Sequence, residues 1–166
     1  MRVAILAHEQ FPERAKTATG ILRYGDDEVV AVLDRSHAGE RVADLLPDVR
    51  DAPIVASMDD VPGEVDALVV GIAPIGGGFE ESWRPDVLTA LESGCDLVSG
   101  LHYFLAEDAE FRELADANDC DIWDVRKPPA DLTVSQGVAA EVDAEVVLTV
   151  GTDCSVGKMT VSMELL

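Results

Sequence analysis

Val147-Leu148-Thr149-Val150-Gly151-Thr152-Asp153-Cys154-Ser155-Val156-Gly157-Lys158-Met159-Thr160 reads as a strand, a glycine-bounded loop and the start of a helix that continues through Val161-Ser162-Met163-Glu164. The mostly apolar run Val147–Val150 has the look of a buried strand. Strand, loop, lysine and helix in that order are the parts of a P-loop. Glycines let the backbone turn its N–H groups toward a phosphate, and the helix N-terminus adds the positive end of its dipole. The pattern departs from the usual one twice. Five residues separate Gly151 from Gly157 instead of four, and Met159 follows the lysine where Ser or Thr ordinarily ligates Mg²⁺. The nearest hydroxyl is Thr160, about 100° further around the helix. The expected phosphate-binding set is therefore Gly151, Thr152, Asp153, Gly157, Lys158, Met159 and Thr160, with phosphate binding better supported than Mg-ATP hydrolysis. The plain alternative is an ordinary glycine-rich turn.

Outward from this loop, residues 131–145 are polar and rich in small residues and read as a linker. Residues 146–166 then open a second α/β domain, and the chain has the appearance of the front part of a longer protein. Residues 1–130 alternate short apolar runs with helical segments. Val3–Ala7, Val29–Leu33, Ile54–Ala56, Ala67–Ile72, Asp96–Ser99 and Ile122–Val125 are the expected strands. Helices are expected at Lys16–Gly25, Gly39–Leu46, Pro85–Ser93 and Asp108–Asn118. Continuous rather than alternating apolar strands indicate burial on both faces. The fold class is α/β: a Rossmann-like, doubly wound parallel sheet, then the first strand and P-loop of a second domain.

The composition is acidic. Thirty-three Asp and Glu oppose twelve Lys and Arg, for a formal charge of −21. Acids spread along the chain, with only Lys16, Lys127 and Lys158 as lysines, suggest adaptation to high salt, where the Debye length falls to about 3 Å at 1 M. No basic face exists to neutralise nucleic acid. No apolar run approaches a membrane span, and no metal-ligand spacing occurs. Cys95, Cys120 and Cys154 fit a reducing cytoplasm. A small-molecule substrate and a homo-oligomeric state are expected.

Open α/β sheets bind ligands beyond the carboxyl ends of their strands. That directs attention to several residues. Lys16, Thr17, Thr19 and Gly20 open a helix after the first strand and offer either an anion site or simple packing. Asp34 ends the second strand, where such folds hold a ribose, although G-x-G-x-x-G is absent. Gly76-Gly77-Gly78 follows the fourth strand and offers either close ligand approach or a flexible turn. His102 follows the fifth strand and is a candidate base. Arg126 and Lys127 follow the sixth and are candidate anion binders.

Four stretches taken together resemble the D-glutamate N-acetyltransferase family: Lys16-Thr17-Ala18-Thr19-Gly20 with Arg23-Tyr24, Ser99-Gly100-Leu101-His102-Tyr103-Phe104-Leu105, Asp124-Val125-Arg126-Lys127-Pro128-Pro129, and the loop from Gly151 to Thr160. The resemblance implies a Rossmann-like domain followed by a P-loop domain, and acetyl transfer from acetyl-CoA to the amine of D-glutamate. It also implies that the P-loop cradles CoA phosphates through Lys158 and the Gly157 N–H. Arg126 would then meet a substrate carboxylate and His102 would act as base. The P-loop segment alone resembles dethiobiotin synthetase, which would instead imply ATP with Mg²⁺ and a ligase or kinase. A non-catalytic nucleotide-binding fragment is the third reading.

Overall fold

The computed structural model describes residues 1–74, 76–132, 137–138, 141–145, 147–152 and 156–165. The chain divides into two compact units, residues 1–127 and 128–166.

The first unit carries six strands, β1 (Arg2–Leu6), β2 (Glu28–Leu33), β3 (Ile54–Val55), β4 (Ala67–Val70), β5 (Asp96–Ser99) and β6 (Ile122–Asp124). All pair in parallel, in the order β3-β2-β1-β4-β5-β6. Its helices are α1 (Lys16–Tyr24), α2 (Val42–Leu45), α3 (Arg84–Glu92) and α4 (Ala109–Asn118). Strand order reverses between β1 and β4, the switch point where doubly wound sheets hold ligands.

The core follows from the apolar runs. Val3, Ala4, Ile5 and Leu6 of β1 are at most 1% exposed, so both faces of this central strand are covered. Full burial of Val3, Ile5 and Leu6 contributes about 1.5–3 kcal/mol each. Gly71, just past β4, shows why a side chain is absent there. Its N–H donates to Leu6 O (2.8 Å) and its carbonyl accepts from Ala18 N (2.8 Å). A Cβ would collide with Ile5 Cγ2 and stand 2.9 Å from the Ala18 Cβ. The first turn of α1 is thereby seated on the end of β4.

Two expectations change. The helix expected over Gly39–Leu46 is only Val42–Leu45, preceded by a 3-10 turn at Arg35–His37. The Asp34 side chain caps that turn by accepting from Ser36 N, and Gly39 leaves it at φ +92°. In the second unit, α5 (Lys158–Glu164) forms as expected. Residues 147–150, however, are in no strand, and Val147, Leu148 and Val150 are 74–78% exposed. A strand requires a neighbour to satisfy its backbone, and the described residues of this unit supply none. Among the described residues no helix is long and apolar enough to cross a membrane.

Candidate functional site

The carboxyl ends of β4, β5 and β6 gather the residues that the sequence nominated along this edge. After β4, Gly76 and Gly77 adopt φ +90° and +66°, a region that side chains rarely enter. Gly77 O accepts from His102 N (2.9 Å) and Tyr103 N (3.2 Å). A Cβ at Gly77 would strike the His102 ring. At Gly77 the group that approaches the backbone is the protein's own His102 imidazole, which neither reading of the glycine run had named.

Phe79 fastens the far end of this loop. It stacks on Tyr103 (5.4 Å between centroids) and meets Trp83 and Phe111 edge-on (5.7 and 5.5 Å). The Arg84 guanidinium lies 4.5 Å from the Phe111 centroid and bonds Glu81, Asp108 and Glu110, each at 2.9 Å. Arg84 holds the Asp108 carboxyl down to about 2, with help from the Tyr103 hydroxyl, which donates to it at 2.8 Å. The Asp108 hydrogen bond in turn pushes the Tyr103 phenol up.

His102 itself is exposed, and its ring has no hydrogen bond among the described residues. Arg126 is exposed and donates through Nε to Gly100 O, two residues before His102. Lys127 pairs with Glu107 (3.2 Å) and lies 5.6 Å from the Phe104 ring. Buried Asp124 accepts from Leu105 N (2.9 Å) and Ala106 N (3.0 Å), which fixes the turn following His102. The structure thus brings His102 and Arg126 into one neighbourhood and gives Lys127 a partner of its own.

The helix expected to offer an anion site begins at Lys16 as anticipated. Lys16 and Thr17 are exposed, while Thr19 and Gly20 are half-buried. One of its first-turn N–H groups, that of Ala18, is already spent on Gly71. Asp34 does not present a ribose-binding carboxylate. It is fully buried, Oδ1 accepts from Glu9 N (2.7 Å) and Ser36 N (3.3 Å), and Oδ2 bonds His37 Nδ1 (2.6 Å). That hydrogen bond raises the His37 pKa.

A second polar centre lies where β1, β2 and β3 end, and sequence reasoning missed it. Asp86, in the first turn of α3, is 3% exposed. Its Oδ1 accepts from Met58 N (2.7 Å), and its Oδ2 meets His8 Nε2 (3.0 Å) and Arg35 (2.9 Å). Burial pushes the Asp86 pKa up. The His8 hydrogen bond, the Met58 amide and the Arg35 charge outweigh that and leave it lowered. The one sequence signal was a histidine placed directly after the first buried strand. A groove of about 760 Å³ runs from Arg2, Asp66 and Cys95, where β1, β4 and β5 begin, to Met58, and neither His8, Arg35 nor Asp86 lines it.

In the second unit, α5 starts directly after Gly157 (φ +85°), with Lys158 as its first residue. A Cβ on Gly151 would lie 2.6 Å from Val156 Cγ2 and 3.0 Å from Lys158 Cγ, so the loop doubles back on itself. Thr149 Oγ1 and Ser162 Oγ are hydrogen-bonded (2.8 Å). Thr152, Met159 and Thr160 are exposed. Asp153 and Cys154 lie outside the described residues.

Comparison with known proteins agrees with this division. Residues 35–128 match the family model described as a domain of unknown function, DUF1611_N, a Rossmann-like domain. Residues 133–166 match its companion, the DUF1611_C P-loop domain. A D-glutamate N-acetyltransferase of Tritonibacter scottomollicae is 30% identical over 151 residues, which is 91% of this chain and 42% of that protein. One from a Pseudoalteromonas species is 37% identical over 98 residues, covering 59% of this chain and 29% of that protein. The crystal structure of a DUF1611 family protein from Anabaena variabilis superposes with a TM-score of 0.88 at 42% identity, over 99% of this chain and 48% of that one. An amine dehydrogenase of Mycobacterium smegmatis shares the fold, with a TM-score of 0.54 at 15% identity. The chain spans less than half the length of the two acetyltransferases and of the Anabaena protein.

Proposed function

The chain belongs to the DUF1611 family, and on that premise we propose that it serves an N-acetyltransferase that moves acetyl from acetyl-CoA to the amine of D-glutamate. The observation that carries this reading is the relative of that name matched over 91% of the chain, through both units.

The residues present suit such a reaction. A loop that enters a helix through a left-handed glycine, with lysine as the first helical residue, fits phosphate. Lys158 and the Gly157 N–H are assigned to the phosphates of CoA, with Gly151, Thr152, Asp153, Met159 and Thr160 around them. Met159 is 65% exposed and has no oxygen to offer a metal, which favours this reading over Mg-dependent ATP chemistry.

Acetyl transfer also needs a cation for the acceptor's carboxylates and a group to take the amine proton. Arg126 is assigned to a carboxylate, because Nε is anchored on Gly100 O and the guanidinium is exposed. Lys127 adds positive charge beside it. His102 is the base that position alone nominates. The exposed Lys16 and Thr17, with Thr19 and Gly20, form an accessory anion-binding surface. The acidic composition supports a protein that works in a high-salt cell interior.

The assignment is tested with Lys158→Ala in the full-length protein. Loss of one charge-assisted hydrogen bond, about 1.5–3 kcal/mol, predicts CoA affinity weakened by roughly 10- to 100-fold with the Rossmann-like unit still folded. Unchanged CoA affinity would remove the phosphate role.

A further inference from the structure

Segments following four strands converge on one carboxylate. His8 follows β1, Arg35 follows β2, Met58 follows β3, and Asp86 lies in the helix after β4. Arg35 also bonds Ser82 O (2.7 Å) and pairs with Glu9 (3.5 Å). Glu9 sits at φ +55° with its N–H on Asp34. An ionised Asp86, faced by Arg35, can only accept, so His8 Nε2 carries the hydrogen. The other ring nitrogen, Nδ1, is then a bare acceptor. It is buried and has no hydrogen-bond partner among the described residues. A buried acceptor with its hydrogen bond unmade is destabilising, so this nitrogen is open to a donor.

We propose that His8 Nδ1 is the proton acceptor for the primary amine of the acetyl acceptor, with Asp86 as its positioning residue and Arg35 keeping Asp86 ionised. This rests on the acetyl-transfer reading above and moves the base from His102 to His8. Three features favour His8. It stands at the end of β1, beside the strand-order reversal. Its tautomer is set by a carboxylate, as an efficient base requires, whereas no partner among the described residues orients the His102 ring. Its free nitrogen lacks a donor, and an amine supplies one. The step balances. An ammonium first loses one proton to solvent. As the N–C bond forms and the thioester C–S bond breaks, the amine passes a second proton to Nδ1, and His8 returns it to the leaving thiolate. The His8 side chain is 0% exposed, so the amine reaches Nδ1 only when the segments around the end of β1 part.

The test uses the full-length protein in molar KCl, with acetyl-CoA and D-glutamate and with thiol release as readout. His8→Gln is expected to lower kcat/KM for the amine by about 100-fold or more, to flatten its fall toward acid pH, and to leave acetyl-CoA affinity within twofold. A variant within threefold of wild type, with its pH profile unchanged, overturns the His8 assignment while the acetyl-transfer reading stands. A wild-type protein that acetylates no primary amine overturns both. Should His8→Gln fail to fold, ¹⁵N NMR of the wild-type imidazoles decides. Addition of D-glutamate is expected to shift the His8 Nδ1 resonance, and an unmoved resonance at saturation overturns the proposal.

Discussion

Replacing Asp86 with alanine should be among the most destabilising single changes in the Rossmann-like unit. The carboxylate is 3% exposed and meets three groups, Met58 N at 2.7 Å, Arg35 at 2.9 Å and His8 Nε2 at 3.0 Å. Each hydrogen bond to a charged group is worth about 1.5–3 kcal/mol, and truncation leaves the partners without an acceptor. Contributions in one cluster are not additive, so the sum overstates the loss. Breaking a buried ion pair from one side costs about 3–5 kcal/mol. A value of about 4 kcal/mol is a large part of a domain's total stability. It corresponds to a fall in Tm of roughly 8–16 °C for a chain of this size. Asp86→Asn retains an acceptor for Met58 and should fall by about half as much. The assay is thermal unfolding by circular dichroism in molar KCl. Because the carboxylate is buried while Arg35 is partly exposed, most of the deficit should persist as KCl is raised. A Tm within 3 °C of wild type for Asp86→Ala would refute the convergence of the His8, Arg35 and Met58 segments on this carboxylate.

Gly77→Ala must place a Cβ against the His102 ring at φ +66°, at a cost of about 1–2 kcal/mol for the backbone alone. A Tm lower by several degrees is expected, and an unchanged Tm would show that the glycine loop does not hold His102. The Asp108 carboxyl is held down to about 2, below the usual carboxylate range, chiefly by the Arg84 guanidinium. Its folded pKa is depressed, so its contribution is present above about pH 4 and is lost as pH falls toward 2. Acid titration of Arg84→Met should lack that loss. His37 is shifted the other way, raised from 6.5 by Asp34. Its contribution is complete below pH 6.5 and is lost as pH rises through the higher folded value. Stability of His37→Gln should therefore be flatter than wild type above pH 6.5, and identical slopes would contradict the pairing.

Much of the fold was legible because the strands are continuous apolar runs between polar breaks. Asp96–Ser99 was expected and is found with those bounds. The first strand was expected at Val3–Ala7 and is found at Arg2–Leu6. The shortened α2 was not legible, because an Asp34 side chain and a left-handed Gly39 redirected the chain there. Val147–Val150 carried a strand-like pattern, yet a pattern cannot supply the neighbouring strand that pairing needs. The nearness of His102 and Arg126 was legible because both follow strand ends, and Arg126 is bonded to Gly100 O, two residues before His102. Asp86 was not legible, because its partners are 28, 51 and 78 residues away. Nothing local in Pro85-Asp86-Val87 separates that aspartate from the others on the surface. The contact between Gly77 and His102 was likewise hidden, since three glycines in a row are equally compatible with a loose turn.

The central claim is acetyl transfer, and the most direct measurement is calorimetric titration of the full-length protein in molar KCl with acetyl-CoA, and separately with ATP with and without Mg²⁺. Saturable acetyl-CoA binding that needs no Mg²⁺, followed by thiol release when D-glutamate is added, is the predicted result. Absence of acetyl-CoA binding together with Mg²⁺-dependent binding of ATP would contradict it and point to a ligase or kinase.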